Sequence, residues 1–157
     1  MVSHKSVINL VNGLKEKVYH NLTSYLRVAM LASHVFDASI QQIFGALLQG
    51  HRLYIASQEE CSAGKNLLNF YEKNKIQLSD GTPTHFRLLV RELEEGYQFK
   101  DFKVWILAGE ELPKKVIAHF FKKVNGEIQI FNMYGPTETC VDSTYYPLTK
   151  KDIENGD

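Results

Sequence analysis

The 157 residues suit one domain large enough to bury a sizeable core. Apolar residues make up 44% and charged residues 23%, and 18 Lys+Arg balance 18 Asp+Glu. That composition excludes a disordered chain and lacks the basic excess of a nucleic-acid or anionic-membrane binder. No run of about 18 apolar residues and no charged-then-apolar leader is present, so the expected compartment is the cytoplasm. Two cysteines, Cys61 and Cys140, are too few for a disulfide scaffold. None of the six histidines is three or four residues from another, which argues against a helical zinc site.

In chain order, the spacing of Val7, Leu10, Val11 and Leu14 predicts a helix over 6–19. Thereafter short apolar runs alternate with amphipathic stretches. Strands are expected at 26–36, 52–56, 76–79, 104–107 and 128–131, where Val, Ile, Leu, Tyr and Phe concentrate. Helices are expected at 39–49, 63–74, 83–95 and 113–124, each opening near Ser, Thr or Pro. A closing strand over 141–148, with Pro147 marking its end, precedes a polar stretch over 149–157. This alternation implies an α/β fold: a mostly parallel sheet with helical crossovers on both faces.

In an open parallel sheet, ligands bind beyond the carboxyl ends of the strands. Four of the five expected strand ends carry polar or glycine-containing clusters: Phe36–Asp37, Ser79–Asp80, Ala108–Gly109–Glu110 and Asn132 through Glu138. Three of them have a plain structural reading. Asp37 and Ser39 suit a helix N-cap, Gly109 to Pro113 a turn into a helix, and Thr137 or Glu138 a cap after the Gly135–Pro136 turn. Gln41 lies four residues after Asp37, so on a helix the two share a face. The lysines 114, 115, 122 and 123 read as a solvated helix face, and Tyr145 and Tyr146 as strand packing.

Taken in order, three of these pieces resemble the adenylation domains of nonribosomal peptide synthetases, within the adenylate-forming enzymes. They are Phe36, Asp37, Ala38, Ser39 with the helix ending in Ala46 to Gly50; Ala108, Gly109, Glu110 with Leu112; and Asn132 to Glu138. The resemblance covers essentially the whole chain and places it in the large N-terminal subdomain of such an enzyme. The family's Gly/Ser/Thr-rich phosphate loop would precede the stretch like Val2 to Lys5. Its ribose-binding Asp, hinge and C-terminal subdomain with the catalytic Lys would follow Asp157. Residues 1–157 are therefore expected to be an interior fragment of an adenylation domain, inactive alone.

The resemblance implies activation of an amino acid by ATP and Mg²⁺, then loading onto the phosphopantetheine thiol of a carrier protein. The implied partners are carrier and condensation domains, with neither nucleic acid nor membrane, and exposed sheet edges could pair two copies. Carried over by position, Thr137 and Glu138 are the catalytic pair. Glu138 would hold Mg²⁺, and Thr137 would bond a phosphate oxygen. Gly109, Glu110, Asn132 and Tyr134 would contact the nucleotide. Asp37 would pair with the α-ammonium, and Ala38, Gln41, Asp80, Ile106, Ala108, Met133, Val141 and Asp142 would line the side-chain pocket. With Gln41, Asp80 and Asp142 polar, glutamine is the expected substrate and ornithine the runner-up. The alternatives are a freestanding amino-acid ligase of the same superfamily, such as one loading D-alanine, and a non-enzymatic doubly wound binding domain.

Overall fold

A computed structural model describes residues 1–20, 22 and 25–154. The last three residues of the polar stretch expected over 149–157 lie outside them. The elements are α1 (His4–Leu14), continued by a π-helical turn (Lys15–Tyr19), β1 (Arg27–Met30), α2 (Ala38–Leu47), β2 (Arg52–Ile55), α3 (Gln58–Ser62), α4 (Gly64–Asn74) and β3 (Leu78–Gly81). They continue with α5 (Pro83–Glu92), β4 (Tyr97–Gln98), β5 (Val104–Leu107), α6 (Lys114–Lys123), β6 (Val124–Asn125), β7 (Gln129–Tyr134), a 3₁₀ turn (Thr137–Thr139), β8 (Thr144–Leu148) and α7 (Lys151–Glu154). No helix among the described residues is long and apolar enough to cross a membrane.

The main sheet has the order β2-β1-β3-β5-β7-β8, with every pair parallel except the antiparallel β7–β8. Helices α4, α5 and α6 cover one face, where Phe70, Phe86 and Phe120 pack on Trp105 and Leu107. Helices α1 and α2 cover the other, where Leu10, Leu14 and Ala46 pack on Val28, Leu78 and Val104. The expected α/β fold class, a mostly parallel sheet covered on both faces, is borne out.

The differences lie at element ends. The strand expected over 26–36 stops at Met30, because β2 and β3 offer partners only that far, and Ser33–Phe36 then closes a turn (Phe36 N–H to Ser33 C=O, 3.0 Å). In the opposite direction, β7 runs on to Tyr134 because β8 folds back beside it, pairing Tyr134 with Thr144. Asn132, Met133 and Tyr134 are therefore strand residues and not part of the turn. Pro147 sits inside β8, which an outermost strand tolerates. The unanticipated α3 is opened by a capping box in which Ser57 and Glu60 exchange hydrogen bonds. Helix α5 ends at Glu92, three residues before its expected limit.

Candidate active site

The order of the sheet reverses at β1. The chain leaves β1 through α2 on one face, and leaves its neighbour β3 through α5 on the other. A crevice opens between the carboxyl ends of two such strands. Gln42, buried, spans it: its Oε1 accepts from the Leu31 and Ala32 N–H groups (3.0 and 3.1 Å), and its Nε2 donates to the Asp80 carbonyl (3.1 Å). These bonds replace the ladder that β1 and β3 give up where they part.

A cavity of about 560 Å³ lies over this crevice, walled by Asp37, Ala38, Asp80, Ala108, Val141 and Asp142 among others. Strand alternation explains which expected residues meet. Leu78, Val104 and Phe131 face α1 and α2, so two positions later Asp80, Ile106 and Met133 face the same way. Ile106 and Met133 are buried in the apolar packing and do not line this cavity; Met133 instead borders a separate cavity of about 360 Å³ with Leu14, Val18 and Asp142. Asn132 and Tyr134 alternate onto the other face of β7, where both are exposed and neither lines the cavity.

Gln41 projects from α2 and donates both amide hydrogens, to Asp80 Oδ2 (2.9 Å) and Asp142 Oδ2 (2.8 Å). Burial, the neighbouring Asp142 charge and the opposing pull of the glutamine bonds leave the Asp80 carboxyl raised from 3.8 to about 7. Asp142 is raised to about 6, chiefly by burial, with Gln41 opposing and Asp37 adding to the rise. Asp37 makes no cap bond to α2, so its plain structural reading does not hold. It accepts instead from the Thr137 hydroxyl at 2.6 Å, across 100 residues of sequence. Ser39 turns its hydroxyl back to the Phe36 carbonyl (2.7 Å), pinning the loop that carries Asp37.

Two glycines shape the rim. Gly109 has φ +82°, a left-handed conformation that Gly adopts without penalty. At Gly135 a Cβ would collide with the Val141 carbonyl oxygen and stand 2.6 Å from the Ser143 N. The segment that returns over it holds Cys140 and Val141 at φ +71° and +69°, costly for a β-branched residue, and so aims Asp142 at Gln41. The Glu110 carboxylate reaches the start of α5, accepting from the Thr84 N–H (3.0 Å) and hydroxyl (2.7 Å). Glu138 is exposed and makes no ion pair among the described residues, which leaves its carboxylate free to take a cation. No cluster of three His, Cys, Asp or Glu able to hold a metal by itself occurs among the described residues. Gln42 and His85, which also line the cavity, went unnoticed in the sequence. The signal for Gln42 was a second glutamine inside an otherwise apolar helix, and for His85 its place three residues after the capping Thr82.

A family model described as AMP-binding enzyme matches residues 1–156. The chain belongs to that family. It is 42% identical over 149 residues to bacitracin synthase 1 of Bacillus licheniformis, a match covering 94% of this chain and 3% of that protein. To surfactin synthase subunit 1 of Bacillus subtilis (strain 168) it is 38% identical over 152 residues, covering 94% and 4%. The crystal structure of the nonribosomal peptide synthetase FmoA3 shares the fold with a TM-score of 0.82 at 22% identity, over 94% of this chain and 16% of that one. The resemblance to adenylation domains of nonribosomal peptide synthetases is thereby borne out, and the chain spans only a few per cent of the curated relatives it matches.

Proposed function

We propose that this chain is the amino-acid-holding part of an adenylation domain that activates a polar amino acid, glutamine first. The observation that carries this reading is the acid cluster: Asp80 and Asp142 line a cavity that Asp37 also lines, and buried Gln41, which is not part of the lining, ties the two together. With one Asp37 oxygen engaged by Thr137, the other is free to take an α-ammonium group in a partly desolvated site. Asp80 and Asp142 each accept from Gln41 through one oxygen, and a side chain that brings hydrogen-bond donors would satisfy the others. Glutamate would add another negative charge and is rejected.

In the reaction, an oxygen of the amino-acid carboxylate attacks the α-phosphorus of ATP and pyrophosphate leaves. A carrier thiol then takes the acyl group and releases AMP. The work of this chain is alignment: Asp37 fixes the amino end, the pocket fixes the side chain, and both aim the carboxylate at the nucleotide. We assign Thr137 to a phosphate oxygen, for which its hydroxyl must leave Asp37, and Gly109 to the close approach of backbone to the nucleotide. Magnesium, held with the help of Glu138, would offset the phosphate charge. Carrier and condensation domains are the proposed macromolecular partners, and pairing of two copies through sheet edges is proposed for the isolated chain. The Gly-rich phosphate loop and catalytic Lys that the family resemblance implies have no counterpart among residues 1–157. The chain alone is therefore proposed to lack amino-acid-dependent pyrophosphate exchange.

Calorimetric titration with a panel of L-amino acids tests the reading. Glutamine should bind, glutamate and glycine should not, and Asp37→Asn should weaken glutamine at least about tenfold. Binding that ignores Asp37→Asn, or a panel in which no amino acid binds, would overturn it. A second reading, ornithine, is favoured by the raised Asp80 and Asp142 carboxyls, which an ammonium group would bring back toward their ordinary range.

A further inference from the structure

The cavity over the crevice is walled by acids: Asp37, Asp80, Glu110 and Asp142 line it, and no Lys or Arg does. An amino acid brings a carboxylate into this space as well as an ammonium group. The acids answer only the second. Across the crevice the lining changes character, for α2 opens on one side with Asp37 and Ala38 and α5 on the other with Thr82 and His85. His85 is the one residue of the lining whose side chain can carry positive charge.

The cap of α5 fixes the tautomer of that ring. Thr82 is the N-cap, and its hydroxyl accepts from the His85 N–H (3.5 Å) while its own N–H donates to His85 Nδ1 (3.3 Å). Nδ1 therefore carries a lone pair, and the ring proton sits on Nε2. Burial pushes the imidazole below its ordinary range, with Glu110 opposing, so the ring is neutral around neutral pH. Nε2–H has no hydrogen-bond partner among the described residues and is not sealed from solvent, so this donor stands open. The other side-chain donors of the lining are less available. Gln42 has spent its amide on the Asp80 carbonyl, the Thr82 hydroxyl lies 3.2 Å from Nδ1, and Ser33 is exposed.

We propose that His85 is the second anchor of the substrate: its Nε2–H holds one oxygen of the amino acid's α-carboxylate, across the crevice from Asp37. This rests on the reading of the cavity as an amino-acid pocket and adds the contact that orients the reacting end. The ligand then spans the two walls, ammonium at the start of α2 and carboxylate at the start of α5, where the positive end of the helix dipole adds to the attraction. A neutral donor suits the task. One N–H fixes one oxygen and leaves the lone pairs of the other free for phosphorus, whereas a cation would draw charge from both.

The test is calorimetric titration of the 157-residue chain and its His85→Asn variant with L-glutamine and with γ-aminobutyramide, which is glutamine without its carboxylate. Asparagine offers an acceptor in the place of Nδ1, so the cap of α5 survives, and has nothing in the place of Nε2. It should weaken L-glutamine about tenfold and leave γ-aminobutyramide unchanged, so that the preference for the carboxylate collapses. His85→Gln, whose amide N–H reaches the Nε2 position, should keep that preference. Equal losses for the two ligands, no loss for L-glutamine, or a His85→Gln chain that behaves like His85→Asn would overturn the inference. Folding of both variants is checked by their amide NMR spectra. The two readings fail separately. If Asp37→Asn weakens both ligands and His85→Asn spares L-glutamine, only the role of His85 falls; if the unsubstituted chain binds neither ligand, the pocket falls and His85 with it.

Discussion

The two faces of the sheet obey different rules. Under α4, α5 and α6 the packing is aromatic: Phe86 lies 5.2 Å from Trp105 and 5.0 Å from Phe120, and Tyr71 stacks on Phe102 at 5.1 Å. Of the polar atoms admitted there, the Tyr71 and Ser79 hydroxyls pair at 2.7 Å, while Trp105 Nε1 is buried without a partner among the described residues. Under α2 the sheet meets Ser39, Gln41, Gln42 and Asp80, all buried, with one amide oxygen unpaired and two carboxyls held away from their ordinary range. One face supplies cohesion. The other adds apolar packing of its own through Leu10, Leu14 and Ala46, and carries polar groups at a cost that the packing of both faces offsets.

Substitutions on either side sharpen this contrast. Phe120→Ala removes a fully buried ring remote from the cavity and should cost about 3–5 kcal/mol in chemical denaturation, with glutamine affinity unchanged in the fraction that stays folded. Gly135→Ala should cost about 1–3 kcal/mol, because the new methyl forces the 135–143 segment outward. Its main effect is on function: Asp142 loses its place beside Gln41, and ligand binding should disappear although the chain folds. A Phe120→Ala chain with a damaged pocket, or a Gly135→Ala chain that binds normally, would break the division between the faces.

A further effect concerns pH. Asp80 and Asp142 hold their protons more tightly in the folded chain than in the unfolded one. The stability they contribute is therefore complete below about 3.8 and is lost as pH rises through about 6 for Asp142 and about 7 for Asp80. The urea midpoint should fall between pH 5 and pH 8, and Asp80→Asn should flatten most of that fall. A slope that survives Asp80→Asn would place its origin elsewhere.

Much of this was readable in advance because local rules and the fold agree. Pro83 and Thr82 announce α5, and the Val, Ile and Leu runs announce β3, β5 and β7. The strand expected over 26–36 was too long because apolar residues continue past Met30, whereas strand length is set by what neighbours offer, which one segment cannot reveal. The capping box at Ser57 and Glu60 is visible in the letters as Ser followed three residues later by Glu. For the site, the rim residues Asp37, Asp80 and Gly109 were legible from the rule about strand ends. Their chemistry was not. The Gln41–Asp142 bond joins residues 101 apart, and the partnerless state of Gln41 Oε1 depends on where two separate carboxylates sit.

Helix α2 has an unusual outside. Having turned its glutamines toward the sheet, it leaves Phe44, Leu47 and Leu48 in water, the last two more than half exposed, and carries no charged residue between Ala38 and Gly50. Greasy contact, with no electrostatic handshake, is what that surface offers to any polypeptide that comes to rest on it. The segment that secludes the acid cluster thus also turns a sticky stretch of helix to the exterior.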